Sequence, residues 1–308
     1  MNSGNRIVLG TRGSMLARWQ ASFVAQALRA AHPDLTVEEK IIVTEGDRLS
    51  SGPLWNVGGK GLWVKEIEAA LLAGQIDLAV HSMKDVPGEL AEGLAVVAVP
   101  ARADVRDAVV SRSGANLDQL PAAARVGTTS LRRACQLKAF RADLQIEILR
   151  GNLDTRLRKV ADGVVDAAIL ACAGLDRLAF ADRIAERLPV ERMLPAVGQG
   201  ALAIEARSSD RRVRKLTEAL NHQETALAVA AERAFLARLG ASCRTPVAGF
   251  AQLDGGQVTL RGLVGRPDGT QLVADKINGD AEQAAELGVA LADTLLARGA
   301  GVILAECS

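Results

Sequence analysis

Arginines at strand-to-helix junctions are the first residues of this 308-residue chain whose placement could do chemistry. Between 125 and 159 stand nine basic side chains: Arg125, Arg132, Arg133, Lys138, Arg141, Arg150, Arg156, Arg158 and Lys159. Only Asp143, Glu147 and Asp154 oppose them, so the window carries a net charge of +6. Within it, GTTSLRR (127–133) sets Gly, Thr and Ser just before a helix expected from about 130. Free backbone N–H groups, small hydroxyls and the helix dipole suit an anion there. Arg132 and Arg133 then fall in the first helical turn, which disfavours a cation by a few tenths to about 1 kcal/mol unless an anion accompanies it. Arg150-Gly151-Asn152 repeats the arrangement after a strand, with Arg156 farther into the next helix, and Thr11-Arg12-Gly13-Ser14 does so after the first strand. Ligands of open α/β sheets bind at the carboxyl ends of strands. The recurrence favours anion binding over a merely solvated basic face.

HSMKDVP (81–87) puts Lys84 and Asp85 directly after the apolar strand IDLAV. A carboxylate there, among arginines, stays ionised and can stabilise a developing cation or hold an N–H donor; a surface turn before Pro87 is the plain alternative. VGGKGL (57–62) is glycine-rich but lacks the Gly and Ser/Thr of a phosphate loop, having Leu54 and Gly61 at those positions. It reads as a mobile segment before a helix. GASCRTPVAG (240–249) places Cys243 in a small-residue loop, where Arg244 favours the thiolate. Cys135, Cys172 and Cys307 read as inert fillers. With no CxxC and only three scattered histidines, no metal site is expected.

These residues need strands to present them. RIVLG (6–10), 35–43 and 76–80 read as strands, with helices over 14–31 (Leu16, Phe23, Val24, Ala27 and Leu28 on one face) and 61–73. This is the βαβα rhythm of a parallel sheet covered by helices. A second such unit starts near 107, with strands at 108–111, 125–129, 145–149 and 166–171 and helices at 130–141 and 152–161. A strand at 201–206 suggests that this unit is an insertion and that the chain returns to the first sheet at about 200. Beyond 222 come a helix (223–239), hairpins marked by Asp254-Gly255-Gly256 and Pro267-Asp268-Gly269, a helix over 281–298 and a last strand near 302–305.

Composition narrows the function. Lys plus Arg is 37 against 36 for Asp plus Glu, a net charge of +1, with 49% apolar and 24% charged residues. That is the profile of a soluble globular protein, and with aromatics at 3% it speaks against a nucleic-acid binder. The start shows no apolar leader, and the apolar runs read as interrupted short of a membrane span, so a cytoplasmic protein with reduced thiols and no membrane partner is expected.

TRGSMLARWQ (11–20), VGGKGLWVKEIE (57–68), DLAVHSMKDVP (77–87), VGTTSLRRACQL (126–137), LRGNLDTRL (149–157), LPAVGQGA (194–201) and SCRTPVAG (242–249) together resemble the hydroxymethylbilane synthase, or porphobilinogen deaminase, family. The matching strings run in family order over nearly the whole chain. The resemblance implies two α/β domains like type II periplasmic binding proteins, 1–100 with 200–219 and 101–199, and a smaller α+β C-terminal domain, 220–308, bearing the cofactor cysteine. It implies a monomeric transferase that joins four porphobilinogen molecules head to tail, with loss of ammonia, on a dipyrromethane primer held by a thioether to Cys243. Each condensation passes through an electron-poor azafulvenium attacked by the terminal pyrrole. Asp85 aligns with the family's catalytic aspartate. Ser82, Lys84, Thr128, Ser130, Arg132, Arg133 and Arg156 are implied to hold the cofactor, and Arg12, Ser14, Gln20, Arg150, Arg177 and Gln199 to face substrate. Lys60 falls in a loop implied to act as a lid. Asn56, where some relatives carry Lys, and Arg244, where relatives carry Gln, depart from the pattern. A carboxylate-bearing pyrrole chain accounts for an arginine-lined groove. A non-catalytic two-lobed carboxylate-binding protein is the rival reading, and a covalent adduct on Cys243 separates the two.

Overall fold

The computed structural model describes residues 5–45, 64–241 and 245–307. Two compact units divide the chain, Met1–Arg102 with Ala201–Ala226, and Ala103–Gly200 with Leu227–Ser308.

In chain order the first unit opens with β1 (Arg6–Thr11), α1 (Met15–Ala31), β2 (Thr36–Ile41), α2 (Lys65–Leu72), β3 (Leu78–Ser82) and β4 (Leu94–Ala98). The second contributes β5 (Asp107–Ser111), β6 (Arg125–Gly127), α3 (Leu131–Phe140), β7 (Gln145–Glu147), α4 (Leu153–Ala161), β8 (Ala167–Ala171), α5 (Cys172–Arg177) and β9 (Glu186–Leu188). The chain then returns to the first unit with β10 (Leu202–Arg207) and α6 (Arg211–Thr217). It passes through α7 (Gln223–Arg238) to β11 (Val247–Asp254), β12 (Gln257–Gly265), β13 (Leu272–Asp280), α8 (Ala284–Leu295) and α9 (Gly301–Glu306).

The first sheet has the order β2-β1-β3-β10-β4. β1 pairs in parallel with β2 and β3, while β10 lies antiparallel between β3 and β4. The sheet is therefore mixed where the rhythm of the sequence predicts a parallel one. The return at 200 explains it: β10 starts opposite the end of β3, Leu202 facing Ser82, so it can only run back against its neighbours. The second sheet repeats the plan as β7-β6-β8-β5-β9, with β6 parallel to β7 and β8, and β5 antiparallel to β8 and β9. In both sheets the functional junctions leave from the same edge, the carboxyl ends of the parallel strands.

Ser14 caps α1, its hydroxyl accepting from the Ala17 N–H at 3.3 Å. The buried face of the helix is Ala17, Gln20, Ala21, Val24, Ala25 and Leu28. Phe23, placed on that face by periodicity, is 41% exposed and stacks on Trp19 at 5.5 Å. Alanines at 17, 21 and 25 let the helix lie close to the sheet, which turns the aromatic pair outward.

The three-stranded sheet β11-β12-β13 is an antiparallel meander. Gly255 and Gly256, at φ +55 and +83, form the two-residue turn between β11 and β12, a backbone shape open to glycine at little cost. The run 302–305, expected as a strand, lies in helix α9: Ile303 and Leu304 are buried while Val302 is 60% exposed. It meets a sheet face already covered by Phe235, Leu291 and Leu295, and that setting rewards helical sidedness rather than edge pairing. The stretch Ala281–Glu306 has 26 residues and holds an 18-residue window of mean hydropathy 1.6, long and apolar enough to cross a membrane by length and composition, contrary to the expectation of interrupted runs. It is kinked at Gly299 (φ +94), and its apolar side covers the three-stranded sheet.

Candidate active site

In the first unit, the sequence-predicted residues converge where β1 and its parallel neighbour β3 end. Arg12 follows β1, and the Ser14 hydroxyl caps α1 as an acceptor, which leaves its O–H to donate. Gln20, buried on α1, donates its Nε2 to the Ser82 hydroxyl at 2.8 Å, tying the helix to the last residue of β3. Met83–Asp85 then make one 3-10 turn, closed by the Val86 N–H donating to the Met83 carbonyl. Met83 is buried and anchors the turn, which leaves Lys84 half-buried and Asp85 exposed. Beneath the turn lies a pair that sequence reasoning missed: His81 Nε2 and Glu205 Oε2 are 2.9 Å apart, both side chains buried. It joins β3 to β10, and no local pattern links positions 124 residues apart.

In the second unit, β6 ends at Gly127 and leads into Thr128 and Ser130. The Thr128 N–H donates to the Glu147 carbonyl, the Thr128 hydroxyl accepts from the Ser130 N–H, and Ser130 caps α3. Arg132 and Arg133 follow, 3% and 6% exposed. The anion that their place at a helix start calls for is the fully buried carboxylate of Asp107, the first residue of β5. Arg132 Nη1 donates to Asp107 Oδ2 at 2.7 Å, and Arg133 Nη2 and Nε donate to Oδ1 at 2.7 and 3.1 Å. Burial alone would raise the Asp107 pKa; the adjacent guanidiniums overcome that and hold the carboxyl well below its usual range. Burial pulls Arg132 down from the ordinary arginine value. Asp107 was not among the sequence candidates; an acid heading the buried run AVV was the available signal.

The remaining residues surround this cluster. Gln199, 1% exposed, donates its Nε2 to the Val105 carbonyl at 2.7 Å and to Asp107 Oδ1 at 3.0 Å. Arg177, at the end of α5, donates to the Gly200 carbonyl at 2.8 Å, and burial lowers its pKa to about 10. Half-buried Arg156 donates its Nε to the Gly151 carbonyl at 2.8 Å, and half-buried Arg150 immediately precedes that glycine. The loop carrying Gln199 is anchored by Glu232 of α7, fully buried, whose two oxygens accept the N–H groups of Gly198 at 2.6 Å and Ala251 at 2.8 Å. Cys135 packs with Leu194, Ala248 and Leu263, so α3 lies against the C-terminal sheet. Cys135 and Cys172 are buried as expected, their thiols pushed up to about 12 by burial, whereas Cys307 is half-buried rather than a core filler. Lys60, Asn56, Cys243 and Arg244 lie outside the described residues.

Two family descriptions match the chain: porphobilinogen deaminase, dipyromethane cofactor binding domain, over residues 7–215, and porphobilinogen deaminase, C-terminal domain, over residues 226–297. A porphobilinogen deaminase of Geobacter metallireducens is 51% identical over 298 residues, which cover 97% of this chain and 93% of that relative. Among solved structures, a TRAP periplasmic solute binding protein from Desulfovibrio salexigens has a TM-score of 0.44, with 14% identity over 71% of this chain and 73% of its own. A Salmonella typhimurium periplasmic binding protein of high arginine specificity scores 0.42, with 13% identity over 70% of this chain and 92% of its own.

Proposed function

The chain belongs to the porphobilinogen deaminase family and is a transferase of tetrapyrrole biosynthesis that joins four porphobilinogen molecules on a dipyrromethane cofactor, and from this premise we propose which of its side chains carry the reaction. Two buried guanidiniums face one carboxylate in the second unit, and Arg132 Nε is buried without a hydrogen-bond partner among the described residues. A donor set with positive charge in surplus fits a cofactor whose rings each bear carboxylates. When bound through a thioether to Cys243, that cofactor supplies a pyrrole with a free α-carbon as the nucleophile. Thr128, Ser130, Arg132, Arg133 and Arg156, with Ser82 and Lys84, hold its carboxylates and ring N–H groups. Arg12, Ser14, Gln20, Arg150, Arg177 and Gln199 receive the acetate and propionate of incoming porphobilinogen.

Asp85 is the catalytic residue in this reading. Its carboxylate accepts pyrrole N–H groups and offsets the positive charge that develops on the substrate ring as ammonia leaves. The observation that carries the assignment is its exposure on a turn held from both sides, by buried Met83 below and by the Gln20–Ser82 bond beside it. Such a preorganised charge is worth about 3–4 kcal/mol to a transition state. Asp85→Asn is expected to slow porphobilinogen consumption about 10²–10³-fold with an unchanged circular dichroism spectrum; full turnover by the variant refutes the role. Intact mass of the wild-type protein, with peptide mapping, is expected to place a dipyrrole adduct on Cys243.

The domain division (1–100 with 200–219, 101–199 and 220–308), a monomeric state, a cytoplasmic location, and porphobilinogen as the small-molecule partner with neither nucleic acid nor membrane complete the proposal. The near-neutral net charge of +1 supports the exclusion of nucleic acid.

A further inference from the structure

We propose that Asp107 is a positioning residue of this enzyme: a built-in counter-anion that fixes Arg132, Arg133 and Gln199 in one arrangement and leaves the cluster one positive charge for a ligand carboxylate. The proposal rests on the reading of Arg132 and Arg133 as cofactor-holding residues.

Asp107 is held by backbone on both sides, since β5 lies between β8 and β9 and Asp107 pairs with Ala171 and Leu188. Its oxygens divide the work. Oδ2 takes Arg132, and Oδ1 takes Arg133 and Gln199, so three side chains from two segments are oriented by one rigid group. Each guanidinium also donates to one backbone carbonyl, Arg132 to Leu194 at 2.8 Å and Arg133 to Ile169 at 3.0 Å. Those carbonyls fix direction but supply no charge. Without Asp107, two like charges would share a site shielded from water, and one or both side chains would have to leave it. With it, the two arginines are kept together and the sum of the three charged groups is +1. That surplus, beside the buried Arg132 Nε, which has no hydrogen-bond partner among the described residues, draws one carboxylate without trapping it as an uncompensated pair of cations would.

Removing the carboxylate leaves a space the size and charge of formate, which provides the test. Full-length protein is prepared without cofactor, as wild type, Asp107→Ala and Asp107→Asn. Thermal unfolding is followed against sodium formate and against sodium chloride at equal ionic strength. The rate at which Cys243 gains pyrrole mass from added porphobilinogen is followed by intact mass spectrometry. Formate is expected to raise the melting temperature of Asp107→Ala, saturably and beyond chloride, and by more than it raises that of the wild type, whose cluster has a surplus of one positive charge where the variant has two. Adduct gain by Asp107→Ala is expected to be slower by about tenfold or more and to recover in formate. A folded Asp107→Ala that loads at the wild-type rate, or that answers formate no better than chloride, overturns the proposal. If Asp107→Ala does not fold, Asp107→Asn carries the decision: slow loading at equal folded concentration supports the assignment, and wild-type loading sinks it. A wild-type protein that neither gains the adduct nor consumes porphobilinogen instead refutes the functional reading itself, and the proposal with it.

Discussion

Replacing Gly200 by alanine tests whether the loop that presents Gln199 is held by close backbone approach. Gly200 has φ +86, and a Cβ built there would sit 2.6 Å from the Ala103 carbonyl oxygen and 3.2 Å from that of Asp104. Neither oxygen is the end of a flexible side chain. The Ala103 N–H donates back to the Gly200 carbonyl at 3.2 Å, and Arg177 donates to the same oxygen at 2.8 Å, so the segments cannot part without losing bonds. The left-handed backbone costs an alanine about 1–2 kcal/mol, and relieving the overlap costs about 1–3 kcal/mol more. Gly114 supplies the control: its φ is +76, with nothing among the described residues within 4 Å of the added Cβ, so Gly114→Ala meets only the backbone cost. Urea unfolding followed by circular dichroism is expected to show Gly200→Ala less stable than Gly114→Ala by about 1–3 kcal/mol. The KM for porphobilinogen is expected to rise in Gly200→Ala alone, because Arg177 and Gln199 shift with the loop. Equal losses of stability in the two variants refute the close-approach argument.

Three further outcomes follow from the buried groups. Cys135 and Cys172, with thiols near 12, are expected to stay unalkylated by iodoacetamide at pH 8 in the folded protein, while half-buried Cys307 reacts; peptide mapping reads the difference. Asp107 has a folded pKa held below its unfolded value of about 3.9, so its contribution to stability is full above about pH 4 and is lost as the pH falls further toward the folded pKa. The wild type should therefore lose stability more steeply than Asp107→Asn on acidification below pH about 4, and parallel acid limbs in urea titrations would contradict this. Glu232→Gln sets an amide NH2 against a backbone N–H at Gly198 or Ala251, with an expected loss of about 1–3 kcal/mol in the same urea assay; a loss within experimental error would show that this anchor does not hold the loop.

The junction motifs were legible because their cause is local. A small polar residue before a helix caps it whatever surrounds it, and Ser14 and Ser130 both do so. The alternation of strands and helices, the Gly255-Gly256 turn and the return of the chain near 200 were equally readable, since each depends on a few adjacent residues. The helix at 302–305 was not. Four apolar residues fit either periodicity, and only the waiting sheet face decided between them. The buried face of α1 was misplaced for a related reason: aromatic bulk suggests burial, but close helix–sheet packing selected the alanines.

From its linear order alone, this chain specified which residue types stand at strand ends and helix starts, and so an anion-binding chemistry with one carboxylate, Asp85, set apart from the arginines. Tertiary structure decided which of those charges oppose one another. Asp107 meets Arg132 and Arg133 across 25 and 26 residues, and His81 meets Glu205 across 124, because the packing of a helix on a sheet in the one case and strand pairing in the other brings each set into the dry interior of its own unit. Backbone propensity acts within a turn or two of helix, but the strength of a charge pair depends on the water that the rest of the fold removes from around it.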